Sequence, residues 1–132
     1  MTFEETREDF ELDKVDLEII EEIATLDPSN DNEFFKNQVV RFREFAQEQL
    51  YEMKEGIDKK DRAMIEACAH SIGGAAANFG ASELAAMLLH VEKNTQTLKF
   101  TELESTYEDV GSELKEFIEF LENYLDTRSA NH

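Results

Sequence analysis

The chain has no tryptophan, one proline, one cysteine and five glycines in 132 residues. A lone cysteine, Cys68, has nothing to pair with, so no disulfide is expected to hold the fold. That usage suits a reducing compartment and leads to the expectation of a cytoplasmic location. Basic residues are also scarce. Lys and Arg total 13 against 31 Asp and Glu, a net charge of −18, which argues against nucleic acid and anionic membrane as partners. No basic region followed by an apolar run opens the chain at Met1-Thr2-Phe3-Glu4-Glu5, so no signal peptide is expected. Long hydrophobic runs are missing too. Between Cys68 and Val91 the only formally charged side chain is Glu83, but His70, Asn78, Glu83 and His90 interrupt the window and Gly80 breaks it. Such a segment does not read as a membrane span.

Strand patterning is likewise absent, and what is present is helical periodicity. Residues 1–13 are acidic and read as a loose lead-in or an extra helical turn. A short first helix follows with apolar rows on two sides, Val15, Ile19, Ile23 and Leu26 on one and Leu17, Ile20 and Ala24 on the other. Asp27-Pro28-Ser29-Asn30-Asp31 stops it and caps the next. The spacing of Phe35, Val39, Phe42, Ala46, Leu50, Met53 and Ile57 predicts a long second helix over about 31–56, with Gly56 as its stop. Asp58 or Asp61 can cap a third helix, which ends at Gly80. A fourth runs from about Ser82 to Leu98. A capping box, Thr101-Glu102-Leu103-Glu104, opens the last, with fraying over 127–132. Long amphipathic helices joined by short loops imply an all-α, antiparallel up-down four-helix bundle with an additional short N-terminal helix. The length fits one domain over 1–132 with a core of its own, and a monomer is expected.

The third helix carries the unusual surface. Ile65, Cys68, Ile72, Ala75 or Ala76, and Phe79 form its buried stripe, so His70 points away from the core. Three, four and seven residues beyond it stand Gly73, Gly74 and Ala77. A glycine inside a helix costs roughly 1 kcal/mol relative to alanine, and here two are consecutive. Either they let a neighbouring helix approach closely, or they clear the imidazole for a partner; the outward histidine favours clearance. Ser71 lies about 100° around the helix and Cys68 lies on the buried stripe, so a catalytic triad or Cys/His pair is not expected. Gly73-Gly74 is mid-helix without the lysine of a phosphate-binding loop, which argues against an ATP site. Glu66 and His70 are four apart, where di-iron bundles use Glu-x-x-His, and His90 and Glu92 are only two apart, so no metal site is expected. His90 reads as a satisfied flank residue, and His132 is terminal. A single exposed imidazole can act as a nucleophile toward phosphorus.

The run His70-Ser71-Ile72-Gly73-Gly74-Ala75-Ala76-Ala77-Asn78-Phe79-Gly80 resembles the signature of histidine-containing phosphotransfer (HPt) domains: His, any residue, an aliphatic, Lys, Gly, three small residues, Asn or similar, an apolar residue, Gly. Ala69 before it and Ala81 and Leu84 after it also fit, and the likeness extends from about Leu17 to Leu98. The resemblance implies a phosphorelay carrier, without cofactor or catalytic domain of its own, working with response-regulator receiver domains and hybrid histidine kinases. It implies that His70 accepts a phosphoryl group from a receiver aspartate and passes it on, with Gly74 giving clearance. Gly73 stands where the family usually has lysine. Glu92 falls about where many members place a glutamine against the imidazole; it could fix the ring tautomer but would repel phosphate, and Lys93 could compensate. Ile19, Ile23, Leu26 and Phe34 would form an apolar docking patch, with Ser71 and Ala77 beside the imidazole. All four apolar residues could equally be core, and spacing does not decide Phe34 against Phe35. Two other readings stay open: an HPt-like module that docks receivers with weak or no transfer, which Gly73 favours, and a purely structural adaptor.

Overall fold

A computed structural model describes residues 12–26 and 32–130. Most of the acidic lead-in, the 27–31 connection and His132 lie outside the described residues. Among those described there are five α-helices, one 3-10 turn at Leu12–Lys14 and no strand. The helices are α1 (Leu17–Thr25), α2 (Glu33–Asp58), α3 (Arg62–Asn78), α4 (Ser82–Asn94) and α5 (Phe100–Ala130). The expected architecture stands: α2 to α5 form the bundle, with α2 and α4 each packed on both α3 and α5, and α1 is the short addition.

Aromatic residues from α2, α5 and the turn after α3 fill one core. Phe35 and Phe42 of α2, Phe117 and Tyr124 of α5 and Phe79 after α3 meet with ring centroids 5.4–6.2 Å apart, mostly in the edge-to-face and tilted arrangements that the ring quadrupole favours. On α3 the buried stripe is Ile65, Cys68, Ala69, Ile72 and Ala76, continued by Phe79; of the two alanines left open by spacing, Ala76 faces in. On α1 the inner row is Ile20 and Ala24. Its first turn is anchored twice. Asp16 accepts from the Ile19 N–H at 3.3 Å, and the Asp16 N–H donates to Gly80 O at 2.7 Å. Gly80 has φ +82°, and a Cβ there would lie 2.8 Å from Asp16 O, so both its backbone and the close approach of α1 require glycine.

Several boundaries differ from those expected. Gly56 does not stop α2, which runs on to Asp58. It is buried, and a Cβ there would come within 3.1 Å of Ile65 and 3.2 Å of Met64, so it is a contact glycine between α2 and α3. The turn is made by Lys60, at φ 56°, and Asp61 caps α3 by accepting from the Met64 N–H at 3.1 Å. α4 ends at Asn94 instead of Leu98, because the Thr95 hydroxyl turns back onto Val91 O and Arg62 donates to the carbonyls of Thr95 and Leu98. The capping box does not open α5 at Thr101. The helix begins at Phe100, held under Lys60 and Arg62 with cations 4.5 and 4.2 Å from its ring centre, and Glu102 accepts from the Lys99 N–H. α5 is helical as far as Ala130, with Arg128 tied back to α1 and α2; Asn131 and His132 lie outside the described residues.

Candidate functional site

His70 stands on the outer face of α3 with its side chain 74% exposed. Its Nδ1 lies 2.7 Å from Glu92 Oε1 on α4. An ionised carboxylate only accepts, so Nδ1 carries the proton and donates it, and the free lone pair is on Nε2. Nε2 makes no hydrogen bond among the described residues and faces solvent. One ring nitrogen is fixed and the other is available, as a nucleophile requires.

Beside the imidazole is a hollow of about 260 Å³ lined by Gly73, Gly74, Ala77, Ala85, Leu89 and Glu92. A Cβ at Gly74 would meet nothing within 4 Å, and one at Gly73 would make only ordinary contact, 3.4 Å, with Leu88 Cβ. Close helix packing therefore requires neither glycine, and bareness beside His70 is what the pair provides. Apart from His70, the only ionisable side chain in the lining is Glu92. Lys93 is exposed, does not line the hollow and makes no ion pair among the described residues; the structure does not bring it to His70. Ser71 is half-buried to one side, and Ala77 is exposed on the floor.

On the other flank of α3 runs an apolar groove of about 440 Å³ between α1 and α2. Ile23, Leu26, Phe34, Phe42, Phe45, Ala75 and Phe79 line it, with Gln38, Arg41 and Asn78 as its polar members. Leu26 is 66% and Phe34 37% exposed, while Phe35 is fully buried. The pair that spacing left undecided is thus resolved, with Phe34 outward and Phe35 in the core. Ile23 lines the groove, whereas Ile19 packs half-buried against the Gly80 turn and does not. Sequence reasoning missed Phe45, Arg41 and Gln38 in the groove and Ala85 and Leu89 in the hollow. Phe45 and Leu89, 40% and 47% exposed, carried the available signal: each is a large apolar residue adjacent to a stripe position that already served the core.

His90 lies outside the hollow, where its Nδ1 accepts from the Asn94 amide at 3.2 Å. Burial, with a smaller push from Glu52, raises the Cys68 thiol above its ordinary value, so this sulfur is a core atom. Among the described residues no three His, Cys, Asp or Glu side chains gather to hold a metal ion, and no helix is long and apolar enough to cross a membrane.

A family model described as Hpt domain matches residues 39–127. The matched span holds His70, Gly73, Gly74 and Glu92, and leaves out α1, Phe34 and Arg128. No curated protein matches the chain.

Proposed function

The chain belongs to the Hpt domain family, whose members are phosphorelay histidine carriers of two-component signalling, and from that premise we propose that His70 is the phosphoryl acceptor and that its partners are response-regulator receivers and hybrid histidine kinases. The observation that carries this reading is the His70–Glu92 contact, which leaves Nε2 bare and exposed beside a floor of glycine and alanine.

In the proposed reaction, Nε2 attacks the phosphorus of a receiver's aspartyl phosphate. The P–O bond to the aspartate breaks, its electron pair leaves with the carboxylate, and a P–N bond forms. Positive charge that develops on the ring is shared with Nδ1–H, where the Glu92 carboxylate stabilises it. The same carboxylate opposes the incoming phosphoryl oxygens, and Gly73 supplies no cation, so the countercharge has to come from the docked partner. Transfer to a second receiver is the reverse sequence. Ile23, Leu26 and Phe34 serve as the apolar docking patch, joined by Phe45, while Gly74 and Ala77 keep the approach clear and Ser71 borders it. Ile19 acts from behind, by packing the first turn of α1. The protein works as a monomer in the cytoplasm, without an ATP site.

The test is to mix the protein with a phosphorylated receiver and characterise the product. A phosphate that is acid-labile, base-stable and lost in His70→Gln supports the reading. A protein that takes no phosphate from any receiver of its organism, or takes it on His90, overturns it.

A further inference from the structure

Arg128, near the end of α5, lies outside the span that the family model matches. Its Nε donates to Asn32 Oδ1 at 2.9 Å and its Nη2 to Ala24 O at 3.4 Å. Ala24 belongs to the last turn of α1, and Asn32 immediately precedes α2. One guanidinium therefore grips both ends of the 27–31 connection from 96 and 104 residues away in sequence. Asn32 is 1% exposed and sits in the left-handed region at φ 63°; its side chain makes no capping bond to α2 and is turned to Arg128 instead. This is an unusual use of an N-cap asparagine, whose side chain ordinarily satisfies the helix's own N–H groups.

Two residues from each clamped atom stand the walls of the apolar groove: Leu26 beyond Ala24, and Phe34 beyond Asn32. Both are substantially exposed, so their separation depends on where the ends of α1 and α2 are held. We infer that Arg128 is a positioning residue for receiver docking: through Ala24 and Asn32 it sets the distance between Leu26 and Phe34 across the groove, without itself touching His70 or the phosphoryl group. A planar fork reaches two acceptors in different directions at once, and a lysine's single ammonium does so less well. The inference rests on the docking reading above.

The experiment uses the full chain with Arg128→Gln, Arg128→Lys and Asn32→Gly. Glycine keeps the left-handed conformation and the net charge, so a defect it shares with Arg128→Gln is neither unfolding by strain nor a long-range field effect. Two quantities are measured at a temperature where circular dichroism shows each variant folded: affinity for a receiver, and the rate at which phosphoramidate, a small donor that needs no docking, phosphorylates His70. Arg128→Gln and Asn32→Gly should each weaken receiver binding about five- to tenfold, less than the loss of a hot-spot anchor. Both should leave the phosphoramidate rate unchanged, with Arg128→Lys intermediate and the double variant no worse than either single one. Unchanged receiver affinity in both variants, or a phosphoramidate rate that falls in parallel, would overturn the proposal. Phe34→Ala separates it from the reading beneath it. If Phe34→Ala weakens binding and Arg128→Gln does not, the clamp alone is wrong; if neither does, the docking patch itself is misplaced and both fall.

Discussion

Gly56, Gly74 and Gly111 are each inside a helix, yet replacing each with alanine should give different results. Relative to alanine, a helix-interior glycine costs about 1 kcal/mol in backbone entropy and exposed backbone. At Gly74 and Gly111 a Cβ would meet nothing within 4 Å, so that gain is unopposed. A chain of 132 residues unfolds with an entropy of about 280 cal/mol/K, and about 1 kcal/mol then raises Tm by about 4 °C. At Gly56 the new methyl would sit 3.1 Å from Ile65 Cγ1, 3.2 Å from Met64 Cγ and 3.3 Å from the Ile65 backbone nitrogen. Overpacking of about 1–3 kcal/mol outweighs the propensity gain there, and Tm should fall. Calorimetry on the three alanine variants tests this ordering. The functional consequence follows from Gly74→Gln and Gly111→Gln, which keep most of the helix gain because glutamine is nearly as good a helix former as alanine. On Gly74 the side chain projects one turn from His70, into the approach to Nε2. The rate of transfer from a phosphorylated receiver should drop at least tenfold, equivalent to about 1.4 kcal/mol, while Gly111→Gln transfers normally. A Gly74→Gln protein that is stabilised and transfers at the wild-type rate would refute the clearance argument. No rise in Tm for Gly74→Ala would refute the claim that packing does not need this glycine.

His70→Gln should lose phosphoryl acceptance and keep its helical circular dichroism, since the side chain contributes little to the core; His90→Gln should accept as the wild type does. Gly73→Lys fits, because its Cβ meets only Leu88 at ordinary contact distance. It should shift the transfer equilibrium toward phospho-His70 by up to about tenfold at low salt and less at high salt; a shift indifferent to salt would show the effect is not electrostatic. Burial raises both the Cys68 thiol and the Tyr124 phenol above their ordinary values of 9.0 and 10.0. In the alkaline range the folded protein therefore binds more protons than the unfolded chain, and stability should decline as pH rises past 9. Denaturant midpoints at pH 7, 9 and 10.5 check this, and a rising midpoint would contradict the burial argument.

Sequence alone determined whatever depends on neighbours within one helix. The buried row of α3, the outward direction of His70 and the bare turn after it all follow from a period of 3.6 residues, and the bundle follows from five such patterns and short connections. The resemblance of residues 70–80 to the HPt signature supplied the chemistry that periodicity could not, and it placed Glu92 near the imidazole across 22 residues. Helix ends were less legible because they were settled by contacts from elsewhere: Arg62 closing α4, Phe100 held under two cations, Arg128 tying the last turns of α5 to Asn32 and Ala24. Gly56 and Gly111 look alike in sequence, and only the distance of the facing helix makes one a packing contact and the other open. Phe34 and Phe35 are adjacent, and which one enters the core depends on the rotation of α2 about its axis, a quantity set by the whole interior. Local periodicity fixes which residues share a face; the tertiary structure alone decides which face meets a neighbour, because that depends on atoms brought together from distant parts of the chain.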